Sequence, residues 1–458
     1  MNMHLDDIKK IYFLGIGGIG MSALARYFRS VGAEVHGYDK TQTVLTRQLE
    51  SEGMRIHYGA ADLAAIPSGL DLAVWTPAIP RDFEELTFFQ NSGLPLKKRA
   101  EVLGIISRSR RTIAVAGTHG KTTTTSLLTH LLRTGGVDCT AFLGGISQSL
   151  GSNYVGGDSD WVVAEADEYD RSFLQLSPEI SVLLSMDPDH LDIYGDPDAV
   201  AETGFKEFIR KTRPNGKIFI HCNLAQNFDN QIFETFGLEL GQYRAQNIRV
   251  EDGWFCFDYV APAGFPARMD NLKLALPGRH NVENATAAIA VALQLGIGPE
   301  AIREALASFK GIKRRFEFIY RDEHRVYIDD YAHHPTEIRS AVQAARDLFP
   351  GRKITGIFQP HLYSRTRDFQ GGFAAELDKL DEVILLDIYP ARELPIPGVS
   401  SAIVFDKMKN RHKRMVSIKE IPAVLNLNEI DVLMTIGAGD IDTLVEPIAA
   451  FLSSRKEN

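Results

Sequence analysis

The chain is short of several things that would direct it elsewhere. Its three cysteines, Cys139, Cys222 and Cys256, stand far apart, so neither a disulfide framework nor a clustered zinc site is signalled. No run reaches the roughly 18 uncharged apolar residues that a membrane span needs. The opening MNMHLDDIKKIYFLGIGG places acids before its apolar run and then meets glycines, the wrong order for a secretory signal. Positive charge is in deficit: 50 Lys and Arg against 59 Asp and Glu leave a net charge of −9, without the basic footprint of a nucleic-acid-binding surface. Short-period repeats and low-complexity tracts are also missing. What is present is ordinary for a globular protein, with 44% hydrophobic and 24% charged residues. At roughly 100–200 residues per domain, a chain of 458 residues suggests three domains. The expectation is a cytoplasmic, multidomain α/β protein with no nucleic-acid partner and no membrane insertion; monomer or homodimer is left open.

Apolar runs of strand length alternate with helix-length segments, the pattern of βαβ units on a mainly parallel sheet. IYFLGI (11–16), EVHGYD (34–39) and DLAVWTPAI (71–79) read as strands of a first domain. The basic stretch KKRAEVLGIISRSRR (97–111) precedes TIAVAG (112–117), where the pattern restarts. WVVAEAD (161–167) and ISVLLSMD (180–187) follow, then a less regular region, 240–276, of hairpin-like strands, and a helix within 278–296. After SFKGIKRRFEF (308–318), a glycine turn with a charge cluster, the pattern starts a third time with RVYIDDYA, KITGIFQP, EVILLDIY and DVLMTIGAG. The expected domains are 1–104, 105–312 and 313–458.

Two glycine loops carry different chemistry. Gly15-Ile16-Gly17-Gly18-Ile19-Gly20 fits G-x-G-x-x-G between a strand and a helix. That geometry needs a tight turn, close backbone approach to an anion and free N–H groups at a helix start. Asp39 ends the next strand where a dinucleotide-binding protein places its ribose acid. Alone, this loop reads as NAD binding, or as a tight βα turn without a ligand. The second loop, Ala116-Gly117-Thr118-His119-Gly120-Lys121-Thr122, ends as a phosphate-binding loop does. Lys121 is suited to β- and γ-phosphate oxygens and Thr122 to magnesium, although Val115 stands at the first glycine position of the full pattern. A dehydrogenase has no need of the second loop, and a simple ATPase no need of the first. An enzyme joining a nucleotide-linked substrate to something else with ATP needs both.

Downstream, Glu165-Ala166-Asp167-Glu168-Tyr169-Asp170 closes a strand with hard oxygen ligands of the kind magnesium takes, or forms a solvated acidic loop. Asp187-Pro188-Asp189-His190 ends the next strand, and His190 is a candidate for a second metal or for phosphate. Gly278-Arg279-His280-Asn281 with Asn284 opens a helix whose amides can cap it or meet an adenine edge. Arg314-Arg315-Phe316-Glu317 is a solvated charge run or the source of an arginine for the transferring phosphate. Asp329-Asp330-Tyr331-Ala332-His333-His334 and Gln359-Pro360-His361-Leu362-Tyr363-Ser364-Arg365 place cations and hydrogen-bonding groups at strand ends, where Arg365 suits a carboxylate.

G-I-G-G-I-G-M-S, A-G-T-H-G-K-T-T-T, E-A-D-E-Y-D, H-N-V-E-N-A, R-R-F-E, D-D-Y-A-H-H-P-T-E and F-Q-P-H-L-Y-S-R-T-R-D follow one another in the order seen in the Mur ligases, which the chain resembles over essentially its whole length. The resemblance implies a Rossmann-like N-terminal domain for a UDP-sugar, a central P-loop ATPase-type domain with a mainly parallel sheet, and a Rossmann-like C-terminal domain for an amino acid. It implies ATP and Mg2+, with UDP-N-acetylmuramate and L-alanine as substrates, joined through an acyl phosphate for peptidoglycan synthesis. Carried over residue by residue, Gly15, Gly17, Gly18, Gly20, Met21, Ser22 and Asp39 would serve the UDP-sugar, making Asp39 a decoy for NAD. Gly117, Thr118, His119, Gly120, Lys121, Thr122, Thr123, His280, Asn281, Asn284, Arg315 and Asp330 would serve ATP. Thr122, Glu165 and His190 would hold metal, and Tyr331, His333 and Arg365 would surround the alanine. Lys121, His190 and Arg315 would be catalytic. Two departures stand out. Many relatives carry Arg where Leu362 stands, and Lys206 does not fit the register of the carbamylated lysine used by relatives acting on later substrates. A recycling ligase for a preformed tripeptide, an NAD-linked oxidoreductase and a non-enzymatic nucleotide sensor are the alternatives.

Overall fold

In the computed structural model, residues 5–187, 200–228, 231–391, 393–426 and 429–454 are described. The expected third restart of the βα pattern is met: three sheets follow one another along the chain. The first comprises β1 (Lys10–Leu14), β2 (Glu34–Asp39), β3 (Arg55–Tyr58), β4 (Leu72–Trp75) and β5 (Leu96–Lys98) in the order β3-β2-β1-β4-β5, all parallel. The order reverses between β1 and β4, so the crevice used by ligands of open α/β sheets lies at the C-terminal ends of those two strands.

The second sheet has ten strands: β6 (Arg111–Ala116), β7 (Thr140–Ser147), β8 (Ser152–Val155), β9 (Trp161–Ala166), β10 (Ile180–Leu183), β11 (Lys217–His221), β12 (Glu234–Leu238), β13 (Tyr243–Glu251), β14 (Trp254–Val260) and β15 (Arg268–Leu274). Their order is β15-β14-β13-β12-β11-β10-β6-β9-β7-β8. The expected hairpin-like region is thus three adjacent strands, β13 to β15. The antiparallel β7–β8 pair has no counterpart in the sequence reading. β6 and β10 are buried along almost their whole length, as an apolar run inside a parallel sheet must be.

The third sheet runs β16-β17-β21-β18-β19-β20, from β16 (Glu317–Arg321), β17 (Val326–Asp330), β18 (Ile354–Phe358), β19 (Glu382–Leu385), β20 (Lys413–Met415) and β21 (Val432–Ile436). Only its edge pair β16–β17 is antiparallel. The sequence reading took the start of that edge strand for a turn and charge cluster. Separate apolar cores cover the sheet: one includes Ile328, Phe358, Phe373 and Met434, the other Tyr327, Ile357, Leu433 and Ile448.

The residues form two compact units: Met1–Gln246 with Tyr259–Asp270 and Glu283–Ser308, and Asn247–Asp258 with Asn271–Val282 and Phe309–Asn458. Inside the first unit one core joins the five-stranded sheet to the middle one: Phe13, Leu24, Phe28 and Val35 pack with Phe142 and Val162. Polar contacts fasten the same junction. The buried Arg26 donates to Asn153, which in turn donates to Ser22 Oγ at 2.9 Å. Among the described residues no helix is long and apolar enough to cross a membrane.

Candidate active site

The first glycine loop leaves β1 and enters the helix Ile19–Ser30. Gly15 turns at φ +84°, which only glycine adopts without strain, and its N–H and that of Ile16 donate to Tyr38 O at 2.9 and 3.0 Å. Gly17 N–H donates to Asp39 Oδ2 at 2.7 Å, so Asp39 closes the loop from the end of β2. The loop has to be glycine at this point, because a Cβ on Gly17 would meet Thr46 at 2.7 Å and Asp39 at 2.8 Å. Met21 and Ser22, in the first turn of the helix Ile19–Ser30, are both buried. Met21 lies in the apolar core, while Ser22 Oγ donates to Ile19 O and its N–H closes the first helical turn on Gly18 O.

The second loop leaves β6 between β10 and β9, turns at Gly117 and Gly120, and enters the helix Lys121–Thr134. Both turns are in the positive-φ region, and a Cβ on Gly117 would stand 2.8 Å from Ser185 N. Thr118 Oγ1 donates to Asp187 O at 2.8 Å, and His119 N–H donates to Ser185 Oγ at 2.9 Å. Asn284 comes from the helix Arg279–Gln294 to lie against Gly120. Lys121 Nζ donates to Gly117 O at 2.7 Å and lies 3.0 Å from Glu168 Oε1. Burial works against the ammonium, but the carboxylates of Glu168, Asp167 and Glu165 outweigh it and hold its pKa above the usual value. Glu165, one residue before the end of β9 and opposite Val115, accepts from Thr122 Oγ1 at 2.8 Å.

The second unit assembles its own group. β17 ends in Asp330, whose two oxygens accept from Phe316 N and Ala332 N at 2.8 Å each. Burial pushes this carboxyl up to about 6, with the Arg315 charge opposing the shift. The guanidinium groups of Arg314 and Arg315 both lie 5.1 Å from the centre of the Tyr331 ring. Arg315 Nη1 is 3.8 Å from Glu337 Oε1. His333 Nδ1 meets Tyr331 O at 3.0 Å, and burial pulls its pKa down to about 4. Glu337 opposes that shift, whereas the buried Arg365 adds to it. Arg365 lies in the first turn of the helix Tyr363–Leu377.

Three descriptions match in succession: "Mur ligase family, catalytic domain" over residues 10–111, "Mur ligase middle domain" over 115–292 and "Mur ligase, glutamate ligase domain" over 314–439. A UDP-N-acetylmuramate–L-alanine ligase of Flavobacterium psychrophilum is 47% identical over 462 residues, covering 99% of this chain and 100% of the relative. The chain belongs to the Mur ligase family. A second UDP-N-acetylmuramate–L-alanine ligase, from Cytophaga hutchinsonii, is 45% identical and covers 99% of both chains. Among solved structures, the UDP-N-acetylmuramate–alanine ligase of Thermotoga maritima matches with a TM-score of 0.83 at 31% identity, covering 97% of this chain and 100% of that one. A murein peptide ligase from Psychrobacter arcticus shares the fold, with a TM-score of 0.72 at 24% identity and coverage of 98% and 100%.

In this Mur ligase many of the residues named from the sequence fall into the groups just described. Gly117 to Thr123, Glu165 and Asn284 gather around the second loop, while Arg315, Asp330, Tyr331, His333 and Arg365 gather at the strand ends of the second unit. Asn281 Nδ2 donates to Pro277 O and the His280 ring packs against Gly278, so both side chains brace the start of their helix. His190 lies outside the described residues. Lys206 pairs with Glu202 at 2.6 Å, one helical turn away. Among the described residues no group of three or more His, Cys, Asp and Glu could hold a metal. The Thr122–Glu165 pair is nevertheless a fitting donor set for magnesium, which takes few protein oxygens and completes its shell with phosphates and water. Gly144 leaves room for it, since a Cβ there would run into the Glu165 carboxylate. Sequence reasoning missed the specific partnership of Lys121 with Glu168 and the part of Glu337 beside Arg315 and His333. An acidic residue 47 positions from Lys121 carries no local signal of that pairing.

Proposed function

We propose that this chain ligates L-alanine to the lactoyl carboxylate of UDP-N-acetylmuramate with ATP, as a cytoplasmic enzyme of peptidoglycan precursor synthesis. The observation that carries this reading is the phosphate loop with Lys121 and Thr122 each held by its own carboxylate, on a chain 45–47% identical end to end to enzymes of that name. The tripeptide alternative has less behind it, because the murein peptide ligase matches with a TM-score of 0.72 against 0.83 for the alanine ligase of Thermotoga maritima. The NAD alternative is weakened by Asp39, which is engaged with Gly17 N–H within the loop.

Residues 1–104 would hold the sugar nucleotide, 105–312 the ATP, and 313–458 the amino acid. The Gly15–Gly20 backbone would face the diphosphate. Lys121 would neutralise the transferring phosphoryl group, with Arg315 adding charge, since phosphoryl transfer rests on positioning and electrostatics. Thr122 and Glu165 would hold magnesium, which when bound supplies charge neutralisation at the phosphate oxygens. The lactoyl carboxylate attacks the γ-phosphorus and ADP leaves, giving an acyl phosphate. The uncharged amine of alanine then adds to the acyl carbon, and the tetrahedral intermediate expels inorganic phosphate. Arg365 would bind the alanine carboxylate, with Tyr331 and His333 shaping the pocket. No nucleophilic side chain is needed. Phosphate release with UDP-N-acetylmuramate and ATP, scanned over alanine, serine, glycine and the tripeptide, tests the reading. Release that depends on alanine supports it; release that depends only on the tripeptide, or on no acceptor, sinks it.

A further inference from the structure

The reversal of strand order in the first sheet puts two walls around one crevice. The Gly15–Gly20 loop forms one wall. The other holds Trp75 at the end of β4 and Lys98 at the end of β5, with Arg99 opening the next helix. Arg99 reaches across the crevice end. A Cβ on Gly20 would stand 2.5 Å from its Nη1 and 3.0 Å from its Cδ, so the missing side chain at Gly20 is what lets the arginine lie there.

That placement sets a guanidinium beside the first turn of the helix Ile19–Ser30, whose N-cap Gly18 offers no side-chain cap. A cation at the positive end of a helix is disfavoured unless an anion is shared between them. Among the described residues the ion-pair partner of Arg99 is Asp167, whose Oδ2 is 3.5 Å from Arg99 Nη2. This is longer than the roughly 2.7–2.9 Å of a charge-assisted hydrogen bond, so the carboxylate orients the arginine without saturating its fork of donors. Lys98 repeats the arrangement: Nζ is 3.0 Å from Asp170 Oδ2 and 5.7 Å from the centre of the Trp75 ring. The acidic run that ends β9 therefore has two duties. Glu165 and Glu168 hold Thr122 and Lys121 of the ATP loop, while Asp167 and Asp170 hold Arg99 and Lys98.

We propose that Arg99 is a binding residue for the diphosphate of the sugar nucleotide, with Lys98 reinforcing it and Asp167 positioning it. The proposal rests on the sugar-nucleotide reading of the Gly15–Gly20 loop. Titration calorimetry on the full chain, Arg99→Ala and Arg99→Gln tests it, using UDP-N-acetylmuramate, UDP and magnesium–ATP as separate ligands. Both variants are expected to bind the two uridine ligands about tenfold or more weakly, while magnesium–ATP keeps its affinity and shows that the unit is folded. Unchanged UDP-N-acetylmuramate binding in either folded variant overturns the proposal. So does weakening confined to UDP-N-acetylmuramate with UDP unaffected, because the contact would then lie on the sugar side. If Arg99→Ala does not fold, Arg99→Gln decides alone. Wild-type protein that binds neither uridine ligand refutes the underlying reading of the loop instead.

Discussion

Lys121 and Glu168 form a two-oxygen ion pair, with Nζ 3.0 Å from Oε1 and 2.8 Å from Oε2 of a carboxylate that is 2% exposed. The pair keeps a lysine charged where burial would otherwise discharge it, and it fixes the ammonium over the loop that phosphates would fill. Removing Lys121 deletes that charge. Lys121→Ala should abolish the ADP and phosphate release that depends on both UDP-sugar and alanine, and ligation retained in this variant would refute the assignment of the loop.

Glu168→Gln tests the other half of the pair. It leaves a buried ammonium without its nearest counter-charge, and breaking such a pair from one side costs about 3–5 kcal/mol. Urea unfolding should show a loss of that order, reduced by whatever Asp167 and Glu165 still contribute. A loss below about 1 kcal/mol, the range of an exposed pair, would mean that Glu168 is not the principal partner.

Thr122 and Glu165 make a separable prediction. Thr122→Val keeps the shape of the side chain and deletes the oxygen that donates to Glu165 at 2.8 Å. The magnesium concentration for half-maximal phosphate release should rise by at least the ~10–100-fold typical of losing an outer-shell partner. An unchanged magnesium dependence would remove Thr122 from the metal-holding set.

The parts legible in the sequence are those where one segment reports on itself. EVHGYD (34–39) is β2 to the residue, TIAVAG (112–117) matches β6 shifted by one residue, and both glycine loops sit where strand and helix periodicities meet. The parts that were not legible depend on partners distant in the chain. Asn153, on a short strand with no apolar run, bonds Arg26 127 positions away. Lys98 and Arg99 read as a basic boundary segment because their role comes from carboxylates about 70 residues downstream, at a separation of 72 for Lys98 and Asp170. Tertiary pairing of charges leaves no periodicity to detect.

His333 and Asp330 impose opposite pH dependences on stability. Asp330 is held up at about 6 in the folded chain, so between its usual value of 3.8 and about 6 the folded state carries more protons and stability falls as pH rises. His333 is held down at about 4, so between about 4 and 6.5 the unfolded state carries more protons and stability rises with pH. Replacing His333 by Gln removes the second contribution and leaves the first. The difference in unfolding free energy, wild type minus His333→Gln, should therefore grow as pH rises through that window, by up to about 3 kcal/mol at 1.36 kcal/mol per pKa unit. Urea titrations at a series of pH values measure it, and a difference that is flat or shrinks with pH contradicts the assignment.

Arg365 is positioned by a backbone that the chain has gone out of its way to fix. Its helix starts after Leu362, which sits at φ +69° and ψ 139°, a conformation that costs a non-glycine residue about 1–3 kcal/mol. The strain is held by Leu362 N–H on Tyr389 O at 2.9 Å and by Thr366, whose N–H and hydroxyl donate to Leu362 O at 3.1 and 2.7 Å. His361, one residue earlier, stacks on Tyr389 and faces the His333 ring at 6.0 Å. Leucine at this position supplies no second cation, so in the proposed reaction binding of the alanine carboxylate would fall on Arg365. Its loss removes charge-assisted hydrogen bonds worth about 1.5–3 kcal/mol. Arg365→Ala should then raise the KM for alanine by about 10–100-fold and leave the KM for ATP nearly unchanged. Arg365→Lys should recover only part of that loss, because an ammonium cannot reproduce the two-pronged grip of a guanidinium on a carboxylate. A KM for ATP that rises more than the KM for alanine would place Arg365 with the nucleotide and not with the amino acid.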